Sequence, residues 1–320
     1  MKLNILFIGL LFLITCEKES SPIGPIEESS FGIYLLKDKS LTIDQISDTD
    51  ISRLEVESSP WLSASDIAFY DASSHYIYLN ETSETLFTIE SNINWNGQPF
   101  VVFANDKRCY VGAFHSSYSS LALTAPYIDQ LNIQMLPEDI LAISSGIETD
   151  DVRNDENVFF DLAAKKKLHK GLSLSLKDIQ LLANADSAVV QYTFVVNNKD
   201  SDPLYVLDCD KMGSNLFHYY VIGLNFNNGT EHFSSDYQEV TGPEPYDTWN
   251  PEWFTKISSG HSIERTVVLK GYPHIPCGTY TCSFSFSAPV SIDSEQRELA
   301  DGRYWLGIID AKTFFNVTER

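Results

Sequence analysis

Residues that could carry out nucleophilic or phosphate chemistry do not occur at the spacings that those reactions need. The chain has no Gly-x-Ser-x-Gly elbow, no His-Glu-x-x-His, no Gly-rich phosphate loop and no Cys-x-x-Cys pair. Its 7 histidines are scattered without ligand spacing. His115 precedes Ser116 and Ser117, a base beside two hydroxyls, but a serine-rich loop explains the same residues. No catalytic residue and no cofactor is expected.

Four aspartates are of the type that binds calcium, and they surround a short predicted strand. Asp200 and Asp202 precede the strand at 204–206, whereas Asp208 and Asp210 follow it. Calcium needs several oxygen ligands around one point. At the rise of a strand, Asp202 and Asp208 would lie roughly 15–20 Å apart. The four carboxylates therefore cannot share an ion, and no metal site is expected.

The most unusual stretch is a proline-rich loop that ends at Trp253. In this loop, Tyr246, Trp249 and Trp253 would form an aromatic platform for a sugar or a peptide. The alternative is that the loop covers the end of its domain and buries the rings. We favour the second interpretation, with Trp253 directed inward because it begins the alternating run 253–257, and with Trp249 left outside the core.

The N-terminus combines a basic start with a short apolar run that ends at a cysteine. The run of roughly 12 residues is too short to span a bilayer, which takes about 20, and is typical of an export signal. The sequence Leu13-Ile14-Thr15-Cys16 resembles the lipobox of bacterial lipoproteins, with Thr15 in place of the usual Gly, Ala or Ser. This resemblance implies that residues 1–15 are a signal peptide and that Cys16 is lipidated.

Residues 16–30 predict a disordered tether because they are polar, acidic and interrupted by Pro22 and Pro25. The acidic and lysine residues directly after Cys16 resemble signals with which some Gram-negative bacteria display lipoproteins. The expected location is therefore the outer membrane of a bacterial cell envelope, with display on the cell surface as a further expectation.

The formal net charge of -22 restricts the partners. Residues 16–150 carry 21 acidic and 6 basic side chains, and residues 151–320 carry 23 and 15. Nucleic acid is disfavoured because phosphate contacts need clustered Lys and Arg. Adsorption to anionic lipid by charge is disfavoured for the same reason. The expected partners are the membrane, through the lipid anchor, and a protein or glycan.

Strands position the candidate residues of the second half. Along 190–196 and 280–286, apolar residues alternate with polar ones, as in strands with one buried face. About eight such strands predict an immunoglobulin-like antiparallel β-sandwich over residues 171–320. The run 217–226 is apolar on both faces and predicts a central strand.

The first half has a mixed pattern, so the whole chain is expected to be mainly β with an α+β part. Residues 31–145 predict a small α+β domain, with a strand at 51–56 and a hairpin at 99–114 that turns at Asn105-Asp106. Residues 146–170 predict a connector with a short amphipathic helix. Two separable folding units are expected.

Two weak resemblances accompany these patterns. Within residues 50–130, the order of Trp61-Leu62, Asp66-Ile67, a strand, a hairpin and a Ser-rich segment is similar to the small periplasmic domain of the SecD translocon subunit. Within residues 187–288, Trp253-Phe254-Thr255-Lys256-Ile257 and the turn that follows resemble sandwich modules of the BsuPI proteinase-inhibitor type. Neither resemblance implies a translocon role or inhibition.

Export would permit disulfides among the four remaining cysteines. Cys282 lies on the apolar face of its strand, so Cys209 and Cys277 are the expected pair if a disulfide forms. No partner is assigned to Cys109.

The leading functional hypothesis is a non-catalytic, lipid-anchored envelope protein that provides a binding or scaffold surface. The alternatives are a carbohydrate-binding or hydrolase accessory that uses loop 246–253 and, third, an inhibitor of an envelope protease.

Overall fold

A computed structural model describes residues 31–80, 93–116, 118–119, 123–146, 151–236, 240, 242–245, 248–289 and 291–318. The predicted lipidation site Cys16 and the loop residue Tyr246 lie outside these ranges. No helix within them is both long and apolar enough to cross a bilayer.

The described residues of the first part of the chain form nine strands and three short helices. Its strands are β1 (Gly32–Leu35), β2 (Leu62–Ser63), β3 (Ile67–Asp71), β4 (Tyr76–Leu79), β5 (Asn96–Ala104), β6 (Lys107–His115), β7 (Tyr127–Asp129), β8 (Ile140–Ala142) and β9 (Leu168–His169). Its helices are α1 (Ile43–Ile46), α2 (Gln130–Met135) and α3 (Glu156–Ala164). They form a five-stranded sheet in the order β2-β1-β5-β6-β7 and a four-stranded sheet in the order β8-β4-β3-β9.

Local sequence explains most of this part. The predicted hairpin is present as β5 and β6, and Asn105 and Asp106 both have positive φ, the backbone that a tight hairpin turn requires. The predicted strand at 51–56 is wrong. Residues Ile51–Arg53 form a single 3-10 turn, in which the side chain of Asp50 accepts a hydrogen bond from the backbone N–H of Ser52. Within 51–56, only Val56 forms a β-bridge, to Leu36, the residue that follows β1.

The connector is integrated into the first part. Helix α3 begins after Asp155, whose side chain accepts a hydrogen bond from the backbone of Asn157, and it buries Val158 and Leu162 in the N-terminal core. Strand β9 then pairs in parallel with β3. Among the described residues, no strand before residue 170 pairs with a strand after residue 171. Independent unfolding of the two parts therefore stays a prediction.

In the second part, the residues that the structure describes form eleven strands and three helices. Its strands are β10 (Leu172–Asn184), β11 (Ser187–Asn198), β12 (Leu204–Leu207), β13 (Ile222–Asn227), β14 (His232–Phe233), β15 (Phe254–Ile257), β16 (Ser262–Pro273), β17 (Gly278–Ser287), β18 (Glu298–Leu299), β19 (Gly302–Tyr304) and β20 (Ile308–Val317). Its helices are α4 (Cys209–Met212), α5 (Ser214–Tyr220) and α6 (Ser294–Arg297).

Two antiparallel sheets form the predicted sandwich. One has the order β10-β11-β16 and the other has the order β14-β13-β17-β20, which is the strand arrangement of an immunoglobulin-like fold. The alternating residues meet between the sheets, where the rings of Phe194 and Phe284 are 5.1 Å apart. The chain is therefore mainly β, as its alternation predicts, with an α+β first part.

The predicted strand at 217–226 is half wrong. Residues up to Tyr220 belong to α5, and the strand begins only at Ile222. A short run that is apolar on all sides fits a buried helix as well as a buried strand, so its pattern could not decide between them. A third sheet, β15-β12-β19-β18, lies beside the sandwich and borders the first part.

Candidate functional site

A cleft of about 790 Å³ lies where the first part meets the third sheet. Phe69 of β3 and His169 of β9 form one wall, and Lys256 of β15 and Arg303 of β19 belong to the other. Asp202, Glu298 and Asp301 add acidic groups to its lining. The cleft stays open because the short strands β9 and β18 are the edge strands of their sheets.

Arg303 is the central residue of this junction. Its side chain is buried, and Nη2 donates hydrogen bonds of 2.9 Å to Asp71 in the first part and to Asp200 in the second. His169 lies 3.0 Å from Asp200 through Nδ1. One guanidinium therefore links two buried carboxylates from separate parts of the chain.

The same guanidinium keeps unused donors. Among the described residues, Nε and Nη1 of Arg303 have no hydrogen-bond partner. Its central carbon lies 5.0 Å from the ring centroid of Phe69, which stacks on Tyr78 at 4.0 Å. Buried polar groups are normally hydrogen-bonded, so Nε and Nη1, which are shielded from solvent in this arrangement, are two unpaired donors beside the cleft.

A second buried ion pair crosses the junction. Arg297 at the end of α6 donates a hydrogen bond to Asp139, and its guanidinium lies 4.8 Å from the ring centroid of Tyr78. Trp305 donates from Nε1 to Ser73 at 3.1 Å. The two parts are therefore joined by buried, directional contacts as well as by the connector.

Gly171 allows the chain to pass from one part to the other. It has φ of +63°, and a Cβ there would lie 2.3 Å from a carboxylate oxygen of Asp71 and 2.0 Å from Oγ of Ser73. A side chain would thus disrupt the carboxylate that binds Arg303. The turn that ends α3 lies earlier in the chain, where Lys166 has φ of 58°.

The His169–Asp200 pair resembles the orienting half of an acid–base site. A histidine held by a carboxylate acts in hydrolysis only when a nucleophile or an activated water is within reach. No Ser, Thr or Cys is among the residues that line this cleft in the described part of the chain. His169 therefore has no hydroxyl or thiol side chain beside it among the described residues that line the cleft.

Two groups of side chains have metal-like spacing. Ligand atoms of His169, Asp200 and Asp202 lie within 4.8 Å of one another, as do those of a second group formed by Asp208, Cys209 and Asp210. The groups flank β12, as the spacing along the strand predicts. In each, an arginine already binds the buried carboxylate, Arg303 in the first and Arg265 in the second. That positive charge opposes a cation.

Stability should fall in two steps as the solution is acidified. Burial lowers the pKa of His75 and His218 below their ordinary 6.5, so the stability due to their neutral forms is complete above about pH 6.5 and is lost below it. Burial alone would raise the pKa of Asp200, but His169 and Arg303 outweigh it and hold that pKa well below its ordinary 3.8. Its contribution is complete above about pH 4 and is lost as the pH falls further.

Urea titrations at pH 7, 5 and 3 test this prediction. We expect His218→Gln to reduce the decrease in the free energy of unfolding between pH 7 and pH 5. Asp200→Asn should reduce the decrease below pH 4. Equal unfolding free energies at all three pH values would contradict it.

The structure places the two described tryptophans of the aromatic loop against the core. Trp249 is half-buried, with its ring 5.1 Å from Tyr304 and 6.0 Å from Phe254. Trp253 is also half-buried, 6.1 Å from Tyr220. The expectation that Trp249 stays outside the packing is wrong, because Tyr304 comes from a distant segment and supplies the partner.

At the start of β15, Phe254 and not Trp253 is the residue whose side chain is buried. Trp253 ends a 3-10 turn capped by Asn250, and β15 begins at Phe254, which is buried with Ile257. Trp253 therefore lies before the strand, and the two buried residues Phe254 and Ile257, three positions apart, do not follow the strict alternation predicted for 253–257.

The predicted disulfide is not formed, because Cys209 and Cys277 are free thiols far apart. Cys209 follows Asp208, which binds Arg265 near the start of β16, whereas Cys277 follows Pro273 at its end. At about 3.3 Å per residue, Arg265 and Pro273 are roughly 25 Å apart. A disulfide needs Cα atoms within about 7 Å of each other.

We expect one fast thiol in the native protein. Cys277 is exposed, whereas burial raises the pKa of Cys109, Cys209 and Cys282 to about 12. Thiolates react and thiols do not. A colorimetric disulfide reagent should therefore titrate Cys277 in seconds and the others only after unfolding. If one of these thiols reacted only after treatment with a reductant, it would have been part of a disulfide. That result would contradict the prediction that the cysteines are free.

The other sequence candidate, His115, binds Asp129 at 2.9 Å in the neighbouring strand β7, and Ser117 lies outside the described residues. Sequence reasoning missed the junction. The available signal was Arg303 itself, a charged residue directly followed by Tyr304, Trp305 and Leu306, a context that favours a buried and paired cation.

Comparison with protein-family models gives no match, and comparison with curated proteins gives no similar sequence.

Proposed function

We propose that this protein is a non-catalytic, lipid-anchored protein of the bacterial cell envelope that binds a protein or glycan partner in the junction cleft. The observation that carries the proposal is the buried Arg303, which belongs to the lining of the cleft and whose Nε and Nη1 make no hydrogen bond within the described residues. A buried donor without a partner costs free energy, which an acceptor from a ligand would recover.

The charges around Arg303 indicate what kind of group fits. Its own charge is balanced by Asp71 and Asp200, and Lys256 is paired with Asp301 at 2.7 Å. An anion would meet these carboxylates, and a bare cation would meet the guanidinium. An uncharged carbonyl or hydroxyl oxygen is therefore the group best suited to this position.

A photo-crosslinking residue at Ala68, an exposed cleft position, tests the proposal in intact envelopes. The matched control is the same residue at Phe160, an exposed position on α3 that does not line the cleft. We expect an adduct from Ala68 that is absent from Phe160 and that weakens with Arg303→Lys. Equal labelling at both positions would contradict a binding role for the cleft.

Anchoring depends on Cys16. If the apolar run that ends at Leu13-Ile14-Thr15-Cys16 is a lipoprotein signal, Cys16→Ser should abolish acylation, and the protein should leave the membrane fraction or persist as a precursor. Fractionation after salt and carbonate washes, with mass spectrometry of the N-terminus, checks this. A wild-type protein without lipid mass would contradict the anchor.

The alternative, a glycan-binding accessory that uses loop 246–253, has weaker support. Two of the three residues of its predicted platform pack against the core, since Trp249 contacts Phe254 and Tyr304 and Trp253 contacts Tyr220. An inhibitory role would need an exposed, protease-facing loop.

A further inference from the structure

The outer face of the second sandwich sheet has an arrangement that the cleft does not use. Strands β13, β17 and β20 lie side by side, and their outward side chains are aligned across the sheet in rows. Two adjacent rows are Asn227–Thr281–Phe314 and Asn225–Ser283–Lys312. Neighbouring residues in a row are about 5 Å apart, and the rows are about 7 Å apart.

Phe314 stands out in this array. Its side chain is 78% exposed, although it lies in a regular strand whose neighbouring positions are packed. Thr281 lies directly opposite it in β17. An aromatic ring held on a rigid strand and open to solvent presents a flat apolar surface with a fixed orientation.

The groups around the ring are uncharged hydrogen-bonding groups. In the part of the chain that the structure describes, the hydroxyls of Thr281 and Ser283 make no side-chain hydrogen bond, so each can donate and accept. The turn at Asn227–Gly229 closes one end of a groove of about 520 Å³ that Phe314 borders. That volume is within the range of small-ligand sites.

Charge separates the possible occupants. Among the described residues, Lys312 is the one charged side chain that lines this groove, in a chain of net charge -22. An anionic polymer would need a cluster of cations, and a cationic ligand would need acids. A second copy of the chain is also a poor occupant, because stable interfaces bury about 1,200–2,000 Å² around an apolar core. The other large exposed apolar side chains of this face, Ile222 and Ile308, lie two and three rows away from Phe314, with Lys312 and Asp310 in the rows between.

We propose that this face binds an uncharged saccharide, with the apolar face of one sugar ring stacked on Phe314 and its hydroxyls bonded to Thr281, Ser283 and Asn227. Sugar hydroxyls both donate and accept, as do the hydroxyls of Thr281 and Ser283, whereas Asn227 offers the donors of its Nδ2 because its Oδ1 already accepts from the backbone N–H of Gly229. The ring supplies apolar contact without charge. This site is independent of the junction cleft and of the proposed partner there.

Affinity electrophoresis of the full-length protein in detergent tests the proposal, in gels that contain dextran, soluble starch, mannan or laminarin. Polygalacturonate serves as the anionic comparison. We expect retardation by at least one neutral polymer, a loss of at least about tenfold in affinity for Phe314→Ala, and a smaller loss for Thr281→Val. Phe160→Ala, at another exposed phenylalanine, should bind as the wild type does.

Melting temperatures and sedimentation of each variant complete the test. Since Phe314 is exposed, Phe314→Ala should keep the wild-type melting temperature. The proposal is overturned if none of the four neutral polymers retards the wild type, if Phe314→Ala retains its affinity, or if only polygalacturonate binds. It is also overturned if Phe314→Ala dissociates a wild-type oligomer, since the face would then be an interface between copies.

Discussion

Replacing Arg303 with methionine is expected to lower the free energy of unfolding by about 3–5 kcal/mol, because removal of one partner leaves a buried charge uncompensated. Asp71 and Asp200, which are both almost fully buried, would lose the guanidinium that holds them at 2.9 Å. Methionine keeps most of the apolar part of the arginine side chain. The loss in the free energy of unfolding therefore arises from the removed charge rather than from a cavity. Urea unfolding at pH 7 measures it.

The matched control is Lys177→Met, which removes a lysine paired with Glu264 on the surface. Exposed pairs contribute about 0–1 kcal/mol, so this variant should unfold almost as the wild type does. A second test combines Arg303→Met with Asp200→Asn, which removes one unpaired charge and should recover part of the lost stability. Equal stability of the Arg303 and Lys177 variants would show that the buried pairs do not hold the junction.

Trp305→Ala is expected to cost a similar amount, about 3–5 kcal/mol, for a different reason. Trp305 is fully buried beside Phe286, and its truncation would leave a cavity in the sandwich core next to the first part. The variant would also remove the hydrogen bond that its indole donates to Ser73. Thermal and urea unfolding should both show the loss.

Two variants separate these contributions. Trp305→Phe keeps an aromatic ring and removes the donor, so it should cost less than the alanine variant. Trp249→Ala truncates a half-buried ring and should give an intermediate loss, since part of that ring already contacts water. If Trp305→Ala were no more costly than Trp249→Ala, Trp305 would not be a principal packing residue of the junction.

The strands of the sandwich were predictable because their information is local. Alternation with period two assigns each side chain to one face, and Tyr192, Phe194, Phe284 and Phe286 are all buried between the sheets as that period requires. The turn at Asn105-Asp106 was equally predictable, because these residue types tolerate positive φ. Local rules failed at 217–220, where one apolar run fits both a helix and a strand, and at Trp253, where a 3-10 turn stands in place of the predicted strand start.

By itself, the sequence determined the mainly β fold class, the sandwich and the strand faces, because these follow from neighbouring residues along the chain. The tertiary structure alone decided the candidate site. Asp71 and Arg303 are 232 positions apart, and nothing in either local segment specifies the other as its partner. Their pairing arises only when β3 and β19 are brought together, since a buried charge selects whichever opposite charge the fold places within reach.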